Sequence, residues 1–490
     1  MLNSKMSKMF SSHIWDSKTN PQKITVWEKC LGYMLGPAGI LTLNAILSGY
    51  LNRYYTDVLL LNSAGWGVFL ATMPIISKII DAITNIIMGQ VIERTRTRQG
   101  KARPWMIVSL PIIIISAVLL FVIPTANNTV KAVWITFSYN LYYSIGYTIY
   151  SMSHNLMMPL ATADSKQRDT LAIFNNAANC IIPGLFAILF PMCFLGWMGQ
   201  NQGRWITIIA IFSIIAIPAI FLEYYFTRER VTEAQMKAAG AGKNMDTIPL
   251  KQQIMGCLKS KYWVYVVCMT TLGTILVAIS NASKLYYCSW VLADSYDGGA
   301  WMYTIINAVG QFPLGIGVFL VIPLIKKFGK RDSMLIGSVI AVVGALITVL
   351  FSRNLIVLLV GLIIFSFGCL PNTYTGSALL ADSMDYVEYK HGFRSDGLTI
   401  SIISIANTVA AGIGTGVLNF CLMVINDYDA TLEVQSPGVQ TALIVLALGA
   451  PLLAQIINVL FLIPNRQDKE MTIIRDELER RRAELTDNIQ

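Results

Sequence analysis

Twelve stretches of this chain stay apolar for about 20 residues or more: roughly 31–52, 66–92, 105–124, 131–158, 171–195, 205–226, 262–290, 300–325, 333–352, 355–381, 398–424 and 440–463. In lipid a segment of that length satisfies its backbone by coiling into a helix, because no water is present to bond free N–H and C=O groups. The composition agrees. Of the 490 residues, 54% are hydrophobic and 13% charged, whereas soluble domains carry about 25% charged residues; the mean hydropathy is +0.56. The predicted fold is an all-α membrane protein with twelve transmembrane helices. The first 29 residues are polar, so no cleavable signal peptide is expected.

The basic residues orient the chain. With the N-terminus inside, 31 of the 37 Lys and Arg residues fall in cytoplasmic segments. Four (Arg53, Lys131, Arg204 and Arg353) fall outside, and Lys78 and Lys284 lie within spans. Both termini are therefore predicted to be cytoplasmic, in a multi-pass protein of the cell membrane. This placement absorbs the net charge of +9 without nucleic acid. The bilayer is the partner it implies, and a monomer is the expected state. The eight Cys are scattered, with no CxxC pair and no His at ligand spacing, so neither disulfide nor metal site is expected.

The longest polar stretch between spans, 227–261, divides the chain into a 1–29 tail, a six-helix half over 30–226, the central loop, a second six-helix half over 262–463 and a 464–490 tail helix. The second span of one half ends in "GQVIERTRTRQGKARPWM" and that of the other in "IPLIKKFGKRDSML". Both are basic Gly-Lys turns at the same place in each half, the layout of the major facilitator architecture. In the tail helix Met471, Ile474, Leu478 and Leu485 share a face, and Asp476/Arg480 and Glu477/Arg481 have i,i+4 spacing. It reads as a solvated cytoplasmic helix.

The sequence "KIIDAITNIIMGQ" (78–90) puts charge where lipid-facing residues are expected. Asp81 lies fifteen residues into its span from Trp66, about 22 Å along a helix. An ionised Asp near the bilayer centre costs about 3 kcal/mol on insertion scales. Lys78, Thr84 and Asn85 share its face. Two readings follow: a Lys78–Asp81 pair that locks helices together, or a cation site. Neutral polar groups recur at apolar depth: Ser151, His154 and Asn155 on the fourth span and Asn175, Asn176 and Asn179 on the fifth, with Tyr50, Tyr143, Tyr147, Tyr150 and Tyr374 on the first, fourth and tenth. Such groups are inter-helix glue or sugar ligands, and His154 alone reads as a packed histidine. Lys284 either snorkels to an outer interface marked by Trp290 or meets substrate. Arg94, Arg96 and Arg98 in one loop oppose Asp382, Asp385 and Glu388 in another, a candidate inner gate. The sequence shows no nucleophile–base set, phosphate-cradling Gly loop or ATP motif, so an ion gradient, not an enzyme's chemistry, is the expected energy source.

Three stretches carry a resemblance: "YYTDV" (54–58), "DAITNIIMGQVIERTRTRQGKARPW" (81–105) and "ADSMDYVEYKHGFRSDG" (381–397). They resemble the glycoside–pentoside–hexuronide:cation symporters, the family of the melibiose carrier. The resemblance implies a twelve-helix sugar carrier driven by a cation gradient, with no cofactor beyond the coupling ion. It places Asp81 at the first coupling carboxylate, Asn85 at the second, Thr84 between them and Thr148 at a fourth-span ion ligand. It also places Ser151 and Asn155 in the pocket. With Tyr147, Tyr374 and Lys284 from the residue reading, the candidate substrate set is Ser151, Asn155, Asn176, Tyr147, Tyr374 and Lys284. The departures are specific. Acids that hold the sugar on the first and fourth spans are Leu41 and Ser151 here, a basic pocket residue on the fifth is Asn176, and a Lys on the eleventh is Thr408. Neither a melibiose-like substrate nor Na⁺ coupling carries over. With one carboxylate already facing an ammonium, H⁺ coupling is the leading expectation and Na⁺ at Asp81, Thr84, Asn85 and Thr148 the alternative. A lipid or lysolipid carrier and a non-transporting sensor are the competing functions.

The topology has a direct check. A reporter active only outside the cell, fused after Gln490, is expected to be silent; strong activity would overturn the inward placement of the C-terminus.

Overall fold

The computed structural model describes residues 6–231 and 250–480, apart from positions 7, 22, 62, 163, 294–295, 394–395, 433, 469, 472, 475 and 479. Leu485 and Arg481 of the tail lie outside the described residues. All regular structure among the described residues is helical. The long helices are α1 (Glu28–Val58), α2 (Ala64–Arg94), α3 (Arg103–Leu119), α4 (128–161), α5 (165–198), α6 (Gln202–Tyr225), α7 (Lys261–Leu292), α8 (Tyr296–Phe328), α9 (Lys330–Leu350), α10 (Leu355–His391), α11 (396–425) and α12 (Pro437–Leu462). Among the described residues nine helices are long and apolar enough to cross a membrane, and α3 is a shorter apolar helix of 17 residues. A further helix, Leu250–Lys259, precedes α7.

The chain forms two compact units. One comprises Met1–Asn62 and Thr72–Asn244, the other Ser63–Ala71 and Met245–Gln490. In the first, Tyr33, Ile92, Met106, Met157, Leu171 and Tyr224 form one buried cluster that also takes in Met6 and Phe10 of the tail. The tail is pinned by Trp15, whose ring meets Tyr224 edge-on at 5.8 Å, and by Asp16, which accepts from Gln99 (2.8 Å) and Arg98 (3.0 Å). The Gln99 amide, and then His13, hold the Asp16 carboxyl below the usual carboxylate range.

α4 changes geometry midway. Residues Leu141–Tyr147 form a π-turn, whose wider i→i+5 winding advances the side chains beyond it to a new azimuth. α10 also departs from the expected boundary at 381. It continues to His391 because nothing in "ADSMDYVEYKH" breaks a helix, and it stops where Gly392 takes a left-handed conformation (φ 74°) and donates to the Glu388 carbonyl. The three gate acids are therefore helical, not looped. In the second unit Met471, Ile474 and Leu478 are buried against Tyr262 and Tyr386. The apolar stripe of the tail is thus docked rather than solvated, because burying it gains more than its exposure would allow.

One device occurs in both units. After α6, Glu229 accepts hydrogen bonds from the backbone N–H groups of Lys101 (2.9 Å), Ala102 (2.8 Å) and Arg103 (3.0 Å) at the start of α3. Arg103 returns a bond to the Tyr224 carbonyl on α6 (2.8 Å). After α12, Asp468 accepts from the Arg331 N–H at the start of α9 (2.7 Å), and Arg331 donates to the Leu462 carbonyl (2.8 Å). A carboxylate at a helix N-terminus satisfies orphan donors and opposes the helix dipole. Each turn needs a glycine at positive φ, Gly100 at 110° and Gly329 at 82°, and a Cβ on Gly100 would strike the Glu229 carboxylate. Glu229→Ala removes three charge-assisted bonds and is expected to destabilise the first unit by about 2–4 kcal/mol. A thermal-unfolding scan in detergent checks this, and Glu229→Gln is expected to lose less than Glu229→Ala.

Candidate coupling site

Asp81 is buried in α2 (5% exposed). The i,i+3 spacing brings the Lys78 Nζ to its Oδ2 at 2.8 Å. Its Oδ1 accepts from the hydroxyl of Ser144, on the π-turn of α4. Ser144 also meets Asn140 Oδ1 at 3.0 Å, and Lys78 Nζ sits over the Tyr143 ring at 5.0 Å, a cation–π contact. Both carboxylate oxygens thus have a partner, one charged and one neutral.

The other expected ion ligands donate to backbone carbonyls. Thr84 donates to the carbonyls of Ile80 and Asp81 (both 3.0 Å), and the Asn85 amide donates to the Asp81 carbonyl at 2.8 Å. Thr148 donates to the Tyr143 carbonyl at 3.1 Å, five residues back, which fits the π-turn. Lys78 is therefore the one of the four expected neighbours whose side chain reaches the carboxylate of Asp81. Ser144 was not foreseen. Its signal was available: Asn140, Ser144 and Thr148 repeat every four residues in an apolar, tyrosine-rich stretch.

Tyr147, Ser151 and Asn155 lie at i, i+4 and i+8 on α4 and so share one stripe. Tyr147 is half-buried beside Tyr142 (ring centroids 6.5 Å apart), Ser151 is half-buried and 3.4 Å from the Thr148 carbonyl, and Asn155 is exposed. Asn176 on α5 is exposed too. Tyr374 and Lys284 belong to the second unit. Tyr374 is exposed, and the half-buried Lys284 lies 3.4 Å from Asn281 Oδ1. Trp290 does not mark an interface: it is buried, with its indole N–H donating to Tyr428 at 2.9 Å.

The gate residues divide between the units. Arg98 donates to Asp16 (3.0 Å) and the Ser11 carbonyl (3.2 Å), and Arg96 to the carbonyls of Glu93 (2.6 Å) and Thr95 (3.1 Å). Arg94 closes α2. In the second unit Lys330 pairs with the buried Asp382 at 2.6 Å, while Asp385 and Glu388 are half-buried on α10. Arg53, which the charge count places outside, is buried within α1 and paired with Asp57 at 3.2 Å.

The sequence signature of the family described as MFS/sugar transport protein matches residues 32–464. The chain belongs to this family. Its members carry solutes and are not enzymes. Among its relatives, this carrier is 26% identical to an isoprimeverose transporter of Lactiplantibacillus pentosus, over 81% of this chain and 80% of that protein. It is also 26% identical to a glucuronide carrier protein homolog of Escherichia coli K12, over 94% and 98% of the two chains. Of solved structures, a D-xylose-proton symporter matches with a TM-score of 0.59 at 14% identity, covering 90% of this chain and 98% of that one. A peptide transporter, POT, matches with 0.57 at 14% identity, covering 90% and 94%. Such likeness establishes the major facilitator fold.

Removing one half of a buried ion pair strands the other. Lys78→Met is expected to lower stability by about 3–5 kcal/mol, and Lys78→Met with Asp81→Asn to recover much of that loss. Thermal unfolding of these variants and of Asp81→Asn alone in detergent checks it; a double-variant loss equal to the sum of the two single losses would mean that the two groups are energetically independent.

Proposed function

We propose that this carrier moves a sugar, a glycoside or pentoside, together with a proton by alternating access. One observation carries the ion assignment. The Asp81 carboxylate is compensated inside its own half by Lys78 and Ser144, while Thr84, Asn85 and Thr148 serve backbone carbonyls. A sodium ion needs several oxygens, and here it would meet an ammonium at the one carboxylate. A proton needs only Asp81: protonation neutralises the acid and releases Lys78 from its counter-ion. Lys78 thereby becomes the charge that a conformational change can re-pair.

The substrate class rests on neutral chemistry. Tyr147, Ser151 and Asn155 on one stripe of α4, with Asn176 on α5, offer hydroxyls and amides beside an aromatic ring, which suits a polyol. Tyr374 and Lys284, on the second unit, are further proposed substrate ligands. Lys78 is occupied by Asp81, so an acidic sugar has Lys284 as its remaining intramembrane cation. The relatives described above are named as carriers of isoprimeverose and glucuronides, which favours a sugar over a lipid. The carrier is proposed to act as a monomer in the cell membrane with both termini inside. Its two six-helix halves are proposed to rock against each other, with charge pairing between Arg94, Arg96 or Arg98 and Asp382, Asp385 or Glu388 as the inner gate.

Counterflow in proteoliposomes with labelled isoprimeverose and a methyl glucuronide tests the substrate class. Asp81→Asn is expected to abolish uphill accumulation while sugar exchange persists, because the variant loses the ion's anchor and keeps the pocket. Accumulation at the wild-type level would reduce Asp81 to a structural partner of Lys78. Glucuronide exchange that is lost in Lys284→Met, with no isoprimeverose exchange in wild type, would move the substrate to the acidic class.

A further inference from the structure

A second ionisable centre lies in the first unit, ten residues along α4 from Ser144 and so about 15 Å away. His154 and Glu223 are buried, at 9% and 1% exposure. His154 Nδ1 is 2.5 Å from Glu223 Oε1, and the Tyr150 hydroxyl donates to Glu223 Oε2 at 2.6 Å. On the far side of the ring, His154 Nε2 is 2.9 Å from Asn175 Oδ1 on α5. The Asn175 amide orientation has independent support, since the Asn179 amide donates to the Asn175 carbonyl at 2.9 Å and approaches Oδ1 at 3.5 Å. Packing alone does not require a buried Glu in an apolar helix end, and the coupling site makes no use of it.

The hydrogen count in this arrangement is specific. Both ring nitrogens face acceptors, a carboxylate oxygen and an amide oxygen. A neutral imidazole carries one N–H and can serve one of them; an imidazolium serves both. The imidazolium–carboxylate pair is also neutral overall, as a buried site demands. If His154 gives up its proton, its remaining N–H stays with the anionic Glu223, and the Nε2 lone pair then faces the Asn175 oxygen. That contact is repulsive, and Asn175 has to turn. Its neighbours Asn176 and Asn179 are exposed on the same helix, as Asn155 is beside His154.

We infer that His154 is a proton-dependent positioning residue: protonated, it holds Asn175 and with it the Asn179 amide, on the segment of α5 that carries the proposed sugar ligand Asn176, and its deprotonation releases them. Binding linkage then requires that the sugar favour the protonated ring and the proton favour the sugar-bound carrier. Other groups facing the centre are accounted for. Tyr33 of α1 donates to the Met157 carbonyl at 3.3 Å, and behind it Glu28 is paired with Arg230 at 2.7 Å. Tyr224, next to Glu223, is covered by the Arg103 guanidinium from α3 at 4.4 Å, and Glu229 is held by the α3 N-terminus. Glu28 and Glu229 each have a partner outside the centre, so the His154–Glu223 pair is where a proton is gained or lost.

The inference uses the proposed sugar transport for one of its two readouts, and the other is independent of it. The chain has three His residues, so ring-nitrogen NMR of the carrier in nanodiscs, with His154→Gln as the assignment control, reports the ring directly. The His154 signal is expected to change with pH as the ring loses its proton, and the Asn175 side-chain amide signal, assigned with Asn175→Ala, to move with it. In isoprimeverose binding, wild-type affinity is expected to fall about tenfold as pH rises through that titration. The profile is expected to flatten in both His154→Gln and Asn175→Ala, while Asn175→Ala still shows a titrating ring. A ring that keeps one protonation state throughout, or one that titrates while the Asn175 amide stays still, overturns the inference. If isoprimeverose does not bind at any pH, the sugar assignment fails and the NMR result still decides the role of His154.

Discussion

An ionised carboxylate in the middle of an apolar helix has to be neutralised from within reach, and Asp81 is neutralised by Lys78 three residues away on its own helix. This pair sets conditions on everything around it. It fixes the azimuth of α2, because Lys78 and Asp81 must face protein rather than lipid. It requires a polar neighbour for the second oxygen, which α4 supplies through Ser144. It also places an aromatic ring, Tyr143, over the ammonium. The π-turn in α4 belongs to the same arrangement. Ser144 and Tyr147 lie within it, and Ser151 and Asn155 follow at four-residue spacing. Asp81 on α2 is thus tied through Ser144 to α4, the helix that also carries the proposed sugar stripe.

The units are held by a different principle. Where each begins its third helix, beside a positive-φ glycine, a carboxylate from just beyond its sixth helix accepts from backbone N–H groups (three for Glu229, that of Arg331 for Asp468), and an arginine ties back to the carbonyls of that sixth helix. Gly100, Arg103 and Glu229 do this in one unit, and Gly329, Arg331 and Asp468 in the other. The residues differ between units while the hydrogen bonds correspond. This is the structural content of the two basic turns that the sequence repeats. It also accounts for the position of the carboxylates: a helix N-terminus at the membrane edge is a partial positive charge that needs an anion.

Much of this was legible in the sequence. The apolar runs predict long helices over the ranges observed, and the isolated charges at Lys78 and Asp81 announce a functional or structural pair whose geometry the i,i+3 spacing fixes. What was not legible depends on where helical periodicity fails or where partners are distant in sequence. Nothing local shows that Ser144, rather than Thr148 four residues on, meets Asp81 across 63 residues of sequence. Thr84 and Asn85 stand at positions that match the family, and the sequence does not show that a hydroxyl or amide there turns back to donate to the carbonyls of Ile80 and Asp81. The stripe of Met471, Ile474 and Leu478 was visible, but nothing local names Tyr262 and Tyr386 as its cover. Glu223 reads as the end of a span until the fold sets it against His154, 69 residues away.

The coupling claim is most directly tested by the ion that moves with the sugar. Purified carrier in tightly sealed proteoliposomes, in sodium-free buffer with a pH-sensitive dye in the medium, is given an inward isoprimeverose gradient. The account predicts that the medium becomes more alkaline as sugar enters, and that the signal disappears in Asp81→Asn. Sugar entry with no pH change in sodium-free buffer, or entry that starts only when sodium is added and carries labelled sodium with it, would contradict the assignment of the proton to Asp81.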